Sequence, residues 1–181
     1  MLKLVKNWSI RIKSLFLPMM LKFKYLILFV CFAGCFASCK KNEAFEAYDP
    51  VPQFKADTTA IRAFVKANNI NAVKDQSGVF YEIIAPGTGS ISYTTNTQIT
   101  ADYEGRLLNG NIFDSSKGTP ITFSLGRVIP GWQIGIPKIQ KGGKIRLIIP
   151  SYFGYGNVAQ GANIPANSIL DFNITLTEVS N

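Results

Sequence analysis

From Gln98 to Leu107 the chain alternates without a break. Ile99, Ala101, Tyr103, Gly105 and Leu107 fall on one side; Gln98, Thr100, Asp102, Glu104 and Arg106 fall on the other. The same period of two recurs in "PITFSL" (Ile121, Phe123, Leu125) and in "ILDFNITLTEV" (Leu170, Phe172, Ile174, Leu176). Successive strand side chains point to opposite faces, so this pattern predicts half-buried antiparallel strands. "KIRLIIP" (Ile145, Leu147, Ile149) and "GVFYEIIAP" add two more with a less regular alternation, for five in all. No internal repeat is present.

Two stretches carry helical spacing instead. In "DTTAIRAFVKANN", Ala60, Ile61, Phe64 and Val65 recur at helical intervals behind Asp57 or Thr58 as N-cap, which predicts a short amphipathic helix. Trp132, Ile136 and Ile139 lie four and three residues apart, but Pro137 should end their helix near Ile136. That helix is the only cover available inside the strand region. It sets Trp132 at its start, pointing into the concave side of a curved sheet and open to solvent from one side. "KKNEAFEAYDPVPQFKAD", between Cys39 and the first helix, has two prolines and no period, and residues 40–55 are expected to act as a tether adding little to the core.

The 181 residues suffice for one domain with extensions. Their net charge of +8 suggests a nucleic-acid partner only until it is located. Residues 1–38 hold six basic residues and no acid, and the remaining 13 basic and 11 acidic residues leave +2. No nucleic-acid partner is expected. Residues 1–38 read as a signal peptide: Lys22 and Lys24 precede an apolar run, Tyr25 to Ser38, too short to span a membrane. A true start at Met19 or Met20 would give a leader of ordinary length. "FASCKK" resembles a bacterial lipoprotein processing site, which implies lipidation at Cys39; Phe36 departs from the usual leucine, and "FAGC" offers Cys35 as a competitor. Cys39 is preferred because polar sequence follows it directly. All cysteines lie at or before Cys39, so the exported part has no internal disulfide and no catalytic thiol.

"DYEGRLLNGNIFDSS", "PITFSLGRVIPGWQIGI", "KIRLIIPSYFGYG" and "IPANSILDFNITL" resemble, in order and spacing, the FKBP-type peptidyl-prolyl cis-trans isomerases. The resemblance covers residues 76–181, taken as the isomerase domain, with residues 39–75 as lipidated tether and short helix. It implies an α+β fold: a five-stranded antiparallel half-barrel sheet wrapped around one short helix, here with an N-terminal helical extension. It assigns Tyr103, Asp114 and Tyr155 to catalysis. Substrate binding falls to Phe113, Phe123, Val128, Ile129, Trp132, Ile164 and Phe172. Trp132 becomes the pocket floor, Tyr103, Phe123 and Phe172 its walls, Val128 and Ile129 its rim. The Ile129 amide and the Tyr155 hydroxyl would bind ligand carbonyls. Ile121 replaces a common aromatic, Gly154 a common alanine and Asn173 an aspartate, departures that bear on affinity and preference and leave the walls intact.

The chemistry agrees with the residue inventory. Rotation about an X–Pro amide makes and breaks no bond to carbon, so it needs no nucleophile; it needs a water-poor pocket that binds the twisted amide better than either planar form. The chain has no histidine, which argues against Ser-His-Asp catalysis and His-ligated metal. No cofactor and no metal is expected. By pattern alone, inward aromatics are core residues and Asp114 is a turn residue; the resemblance is what makes them site residues. "GYGNVAQG" lacks the spacing and following helix of a phosphate loop. "NIT" at 173–175 is a formal glycosylation acceptor, idle in a bacterial periplasm. The implied protein is a monomer in the bacterial cell envelope, lipid-anchored to the outer membrane and facing periplasm or surface. Its partners would be proline-containing unfolded or partly folded exported polypeptides, with macrolides as further ligands. A non-catalytic module holding proline segments is the alternative, and a structural lipoprotein with a vestigial pocket a third reading.

Overall fold

The computed structural model describes residues 49–181; the leader, Cys35, Cys39 and residues 40–48 of the expected tether lie outside the described residues. The first element among the described residues is a helix, α1, over Pro50–Ala67. It begins eight residues earlier than an Asp57 cap would set it. Asp49 is its N-cap, accepting from the Val51 amide at 2.9 Å, and the prolines sit in the first turn, where no intrahelical N–H bond is lost. Residues 50–55 are thus helix rather than tether, and Phe54 packs edge-on against Tyr152 and Phe153. Asp57 is buried within the helix and is no cap.

The strands are β1 (Val73–Lys74), β2 (Phe80–Ala85), β3 (Gln98–Leu107), β4 (Ile112–Ser115), β5 (Ile121–Ser124), β6 (Lys144–Ile149) and β7 (Leu170–Ser180). They form one antiparallel sheet in the order β1-β2-β6-β7-β3-β4, and β5 also pairs with β3. The sheet has seven strands rather than the expected five: β1 has only two residues, and β4, Ile-Phe-Asp-Ser, does not alternate. β3 carries most of the pairing: β7 runs along one edge, while β5 takes Gln98–Ala101 and β4 takes Glu104–Arg106 on the other. Its buried residues are Ile99, Ala101, Tyr103 and Gly105, the expected face. Leu125 is buried too, but in a 3₁₀ turn after β5, and Ile121 is 42% exposed.

A short helix, α2 (Pro130–Gly135), lies on the concave face, continued by a 3₁₀ turn at Ile136–Lys138 that contains Pro137. It approaches β6 closely. A Cβ on Gly131 would stand 2.5 Å from the Ile149 side chain, and one on Gly135 would overlap Leu147. Trp132, Ile136 and Ile139 then join Ile99, Leu147, Ile149 and Leu176 in one core.

The other face is covered as well, by α1. Ile61, Phe80 and Ile148 form a second buried cluster, with Phe64 and Val65 against it; burying each such side chain contributes about 1.5–3 kcal/mol. Arg146 spans the same face, donating Nε and Nη2 to the Asp171 carboxylate at 2.9 and 2.7 Å beneath the Phe64 ring. Burial on both sides explains why "KIRLIIP" alternates poorly.

Candidate functional site

Four rings meet where α2 enters the sheet. Trp132, in the first turn of α2, has Tyr103 of β3 and Phe172 of β7 each at 5.3 Å and Phe123 of β5 at 5.8 Å between centroids, all close to edge-on. Tyr103 and Phe123 also meet each other, at 5.9 Å. Strand alternation delivers three of these rings to the concave side, and Pro130 at the helix start fixes the fourth. Together they floor and wall a hollow of about 280 Å³. Trp132 is 4% exposed, so the expectation of a floor open to solvent is corrected: three ring edges leave little of the indole uncovered, and it is core as well as floor. Its Nε1 is buried without a hydrogen-bond partner among the described residues.

The polar groups sit at the wall. The Tyr103 hydroxyl donates to Asp114 Oδ2 at 2.8 Å, and Asp114 Oδ1 accepts from the Ser115 amide at 2.8 Å. Burial, reinforced by the Asp114 carboxylate, pushes the Tyr103 phenol up to about 12; burial and the same charge also raise Tyr155. Both hydroxyls therefore remain protonated donors at neutral pH. Behind them, Ser116 Oγ bonds the Asp102 carboxylate and accepts from the Tyr103 amide at 2.9 Å, which holds the end of β4 against β3. At the rim, Gln133 Nε2 donates to the Val128 carbonyl at 2.8 Å, and the Ile129 carbonyl accepts from the Trp132 backbone amide at 2.9 Å.

Of the residues named from the sequence, Tyr103, Asp114, Phe123, Val128, Ile129, Trp132, Tyr155 and Phe172 line this hollow. Phe113 and Ile164 do not. Phe113 stands edge-on behind Phe172 at 5.4 Å, both rings passing over Gly105, where a Cβ would meet them at 2.6–2.7 Å. Ile164, within the β6–β7 connection, is buried in the main core. Arg127 lines the hollow and was missed; the signal was its place directly before Val128. Cys39 lies outside the described residues.

Volume alone does not single out this hollow. One of about 260 Å³ lies between α1 and Tyr152–Phe153, and one of about 290 Å³ beside Tyr93–Thr95. Of these three, only the four-ring hollow combines converging aromatics with phenol donors and a carboxylate. Among the described residues no cluster of three or more metal-ligating side chains occurs, and no helix is long and apolar enough to cross a membrane.

A half-open antiparallel sheet closed over a short helix, with a ring-walled hollow at the helix start, defines a class of fold, and comparison with known proteins assigns its family. Residues 89–177 match the family described as FKBP-type peptidyl-prolyl cis-trans isomerase. The FKBP-type peptidyl-prolyl cis-trans isomerase FkpA of Buchnera aphidicola subsp. Schizaphis graminum is 50% identical over 110 residues, 60% of this chain and 43% of that protein. Among solved structures, a peptidyl-prolyl cis-trans isomerase from Pseudomonas syringae pv. tomato superposes with a TM-score of 0.60 at 31% identity, covering 75% of this chain and 98% of that one. FkpA from Escherichia coli gives a TM-score of 0.58 at 31% identity, covering 71% and 63%. The chain belongs to the FKBP-type peptidyl-prolyl cis-trans isomerase family. It spans about half the length of the curated relatives it matches, 38–53% for four of them.

Proposed function

We propose that this chain is a peptidyl-prolyl cis-trans isomerase that assists the folding of exported proteins. The observation that carries the reading is the four-ring hollow with protonated phenols beside it. A proline ring would rest on Trp132 between Tyr103, Phe123 and Phe172. The Ile129 amide and the Tyr155 hydroxyl would hold the flanking carbonyls, and Asp114 would fix the Tyr103 hydroxyl. The barrier to rotation is about 18–20 kcal/mol and comes from amide resonance. A planar amide is polar and well solvated; twisting it reduces its charge separation. A dry aromatic hollow therefore favours the twisted form over the planar ones, and no proton need move. The test is acceleration of cis-to-trans conversion in a prolyl tetrapeptide, against an uncatalysed time of tens to hundreds of seconds. Binding of a proline-containing peptide without acceleration would reassign the hollow to a non-catalytic module.

The proposed location is the bacterial cell envelope, with a diacylglyceryl anchor on Cys39. A single acyl chain binds membranes only marginally, so two chains on one cysteine should hold the protein in the membrane fraction. Cys39→Ser should release it. If that variant stays bound while Cys35→Ser becomes soluble, the anchor is Cys35; if both stay bound, the anchor reading fails.

A further inference from the structure

Tyr155 sits on the least regular element of the site, the connection between β6 and β7, yet a continuous path of hydrogen bonds ties it to α1. Asp57, in the middle of α1, is 3% exposed. Its Oδ2 accepts from both the amide and the hydroxyl of Ser151, at 2.8 and 2.6 Å, and its Oδ1 from Gln53 Nε2 at 2.7 Å. Ser151 is itself 1% exposed, and its carbonyl accepts from the amides of Gly154 and Gly156 at 2.9 and 2.8 Å. Those two residues flank Tyr155. One turn before Asp57, Phe54 meets Tyr152 and Phe153 edge-on at 6.3 and 5.9 Å, so the same helix also grips the side chains of this turn.

Covering the sheet does not require a carboxylate here. An apolar residue would do that without the desolvation cost of a buried charge, and a carboxylate bonded by three donors specifies geometry instead. Ser151 lies 94 residues from Asp57 in sequence, so the contact sets the position of this turn relative to the helix.

We propose that Asp57 is a positioning residue for Tyr155: through Ser151, α1 holds the backbone turn that keeps the Tyr155 hydroxyl at the wall of the hollow. The inference rests on reading that hollow as the prolyl site. α1 then belongs to the working parts of the site, although it touches no substrate.

The test uses the full chain and compares Asp57→Ala, Asp57→Asn and Ile61→Ala, each alone and with Tyr155→Phe. Asp57→Ala should lower kcat/KM on a prolyl tetrapeptide roughly tenfold, within the roughly hundredfold that a 1 Å misplacement can cost. Asp57→Asn keeps an acceptor for Ser151 and should recover most of the rate. Ile61→Ala empties a fully buried position on the same helix and should destabilise the fold at least as much, with kcat/KM unchanged. In the Tyr155→Phe background Asp57→Ala should add no further loss, because the group it positions is gone. If the loss persists in that background, or if Ile61→Ala shows the same loss, α1 merely stabilises and the proposal is overturned. Should Asp57→Ala fail to fold, Ser151→Ala loses only the hydroxyl bond and carries the same comparison, with a loss of about threefold. Amide exchange separates this proposal from the enzymatic reading. If the wild type does not isomerise, that reading fails, yet faster exchange at Gly154 and Gly156 in Asp57→Ala than in Ile61→Ala still supports positioning, and equal exchange overturns it.

Discussion

Replacing Trp132 should damage stability and ligand binding together, and by different amounts in two variants. The ring is 4% exposed, with Tyr103, Phe123 and Phe172 edge-on at 5.3–5.8 Å. Truncating a buried Trp to Ala costs about 3–5 kcal/mol. Three aromatic pairs, each worth about 0.5–1.5 kcal/mol beyond area, push Trp132→Ala towards the top of that range. Against a total stability of about 5–15 kcal/mol, that variant would be marginal. Trp132→Leu keeps apolar bulk and loses mainly the ring pairs, about 2 kcal/mol, so it should fold and is the informative substitution. Urea unfolding followed by circular dichroism gives its stability, and calorimetric titration with a proline-containing peptide gives its affinity. A fall in affinity of tenfold or more is expected, since the flat surface beneath the proline ring is gone. Affinity unchanged at reduced stability would remove Trp132 from the pocket. Affinity lost at unchanged stability would show that the three ring contacts contribute nothing to the core.

Asp114→Asn should lower kcat/KM by tenfold or less, because a hydrogen bond to a charged group contributes about 1.5–3 kcal/mol and only its transition-state share counts; a loss above a thousandfold would point to proton transfer instead. Tyr103, raised to about 12 by burial and by Asp114, favours folding fully below its ordinary value of 10.0 and loses that contribution as pH rises through 12. The last tyrosinate step of an alkaline absorbance titration should therefore vanish in Tyr103→Phe. Asp75 is held at about 2, chiefly by the Lys138 ammonium donating to it at 2.6 Å and also by Ser77, so its contribution is full above 3.8 and disappears as pH falls through 2. The stability gap between wild type and Asp75→Asn, measured by urea unfolding, should narrow across that window; a constant gap would mean that the ion pair contributes nothing.

Legibility followed the range of the forces involved. β3 and β7 could be read directly because apolar residues line one face and polar ones the other; that alternation turned Tyr103, Phe123 and Phe172 inward with Trp132, and the family resemblance marked them as a site. β6 could not be read cleanly, since Ile148 faces α1 while Ile149 faces the main core. The start of α1 was hidden because Pro50 and Pro52 suggest a linker, although helices admit proline in their first turn. Asp57 looked like a cap for lack of any local sign that its partner is Ser151. Phe172 carries the strand signature and Phe113, on the short β4, does not, and only the pairing of β3 with β4 and β7 decides which ring fronts the hollow.

The strand order has a bearing on how the chain is made. β7 lies between β6 and β3, so the two halves of the sheet stay separate until residues 170–180 are in place. Its pairing with β3 joins positions such as Gln98 and Ser180, more than eighty residues apart, and contacts this distant form late and slowly. Until then β6 and β3 each carry a bare edge, and Tyr103 lacks its partner Phe172. A product stopped before residue 170 would leave a sheet open along its middle, with two unpaired edges available for aggregation or for a holding chaperone.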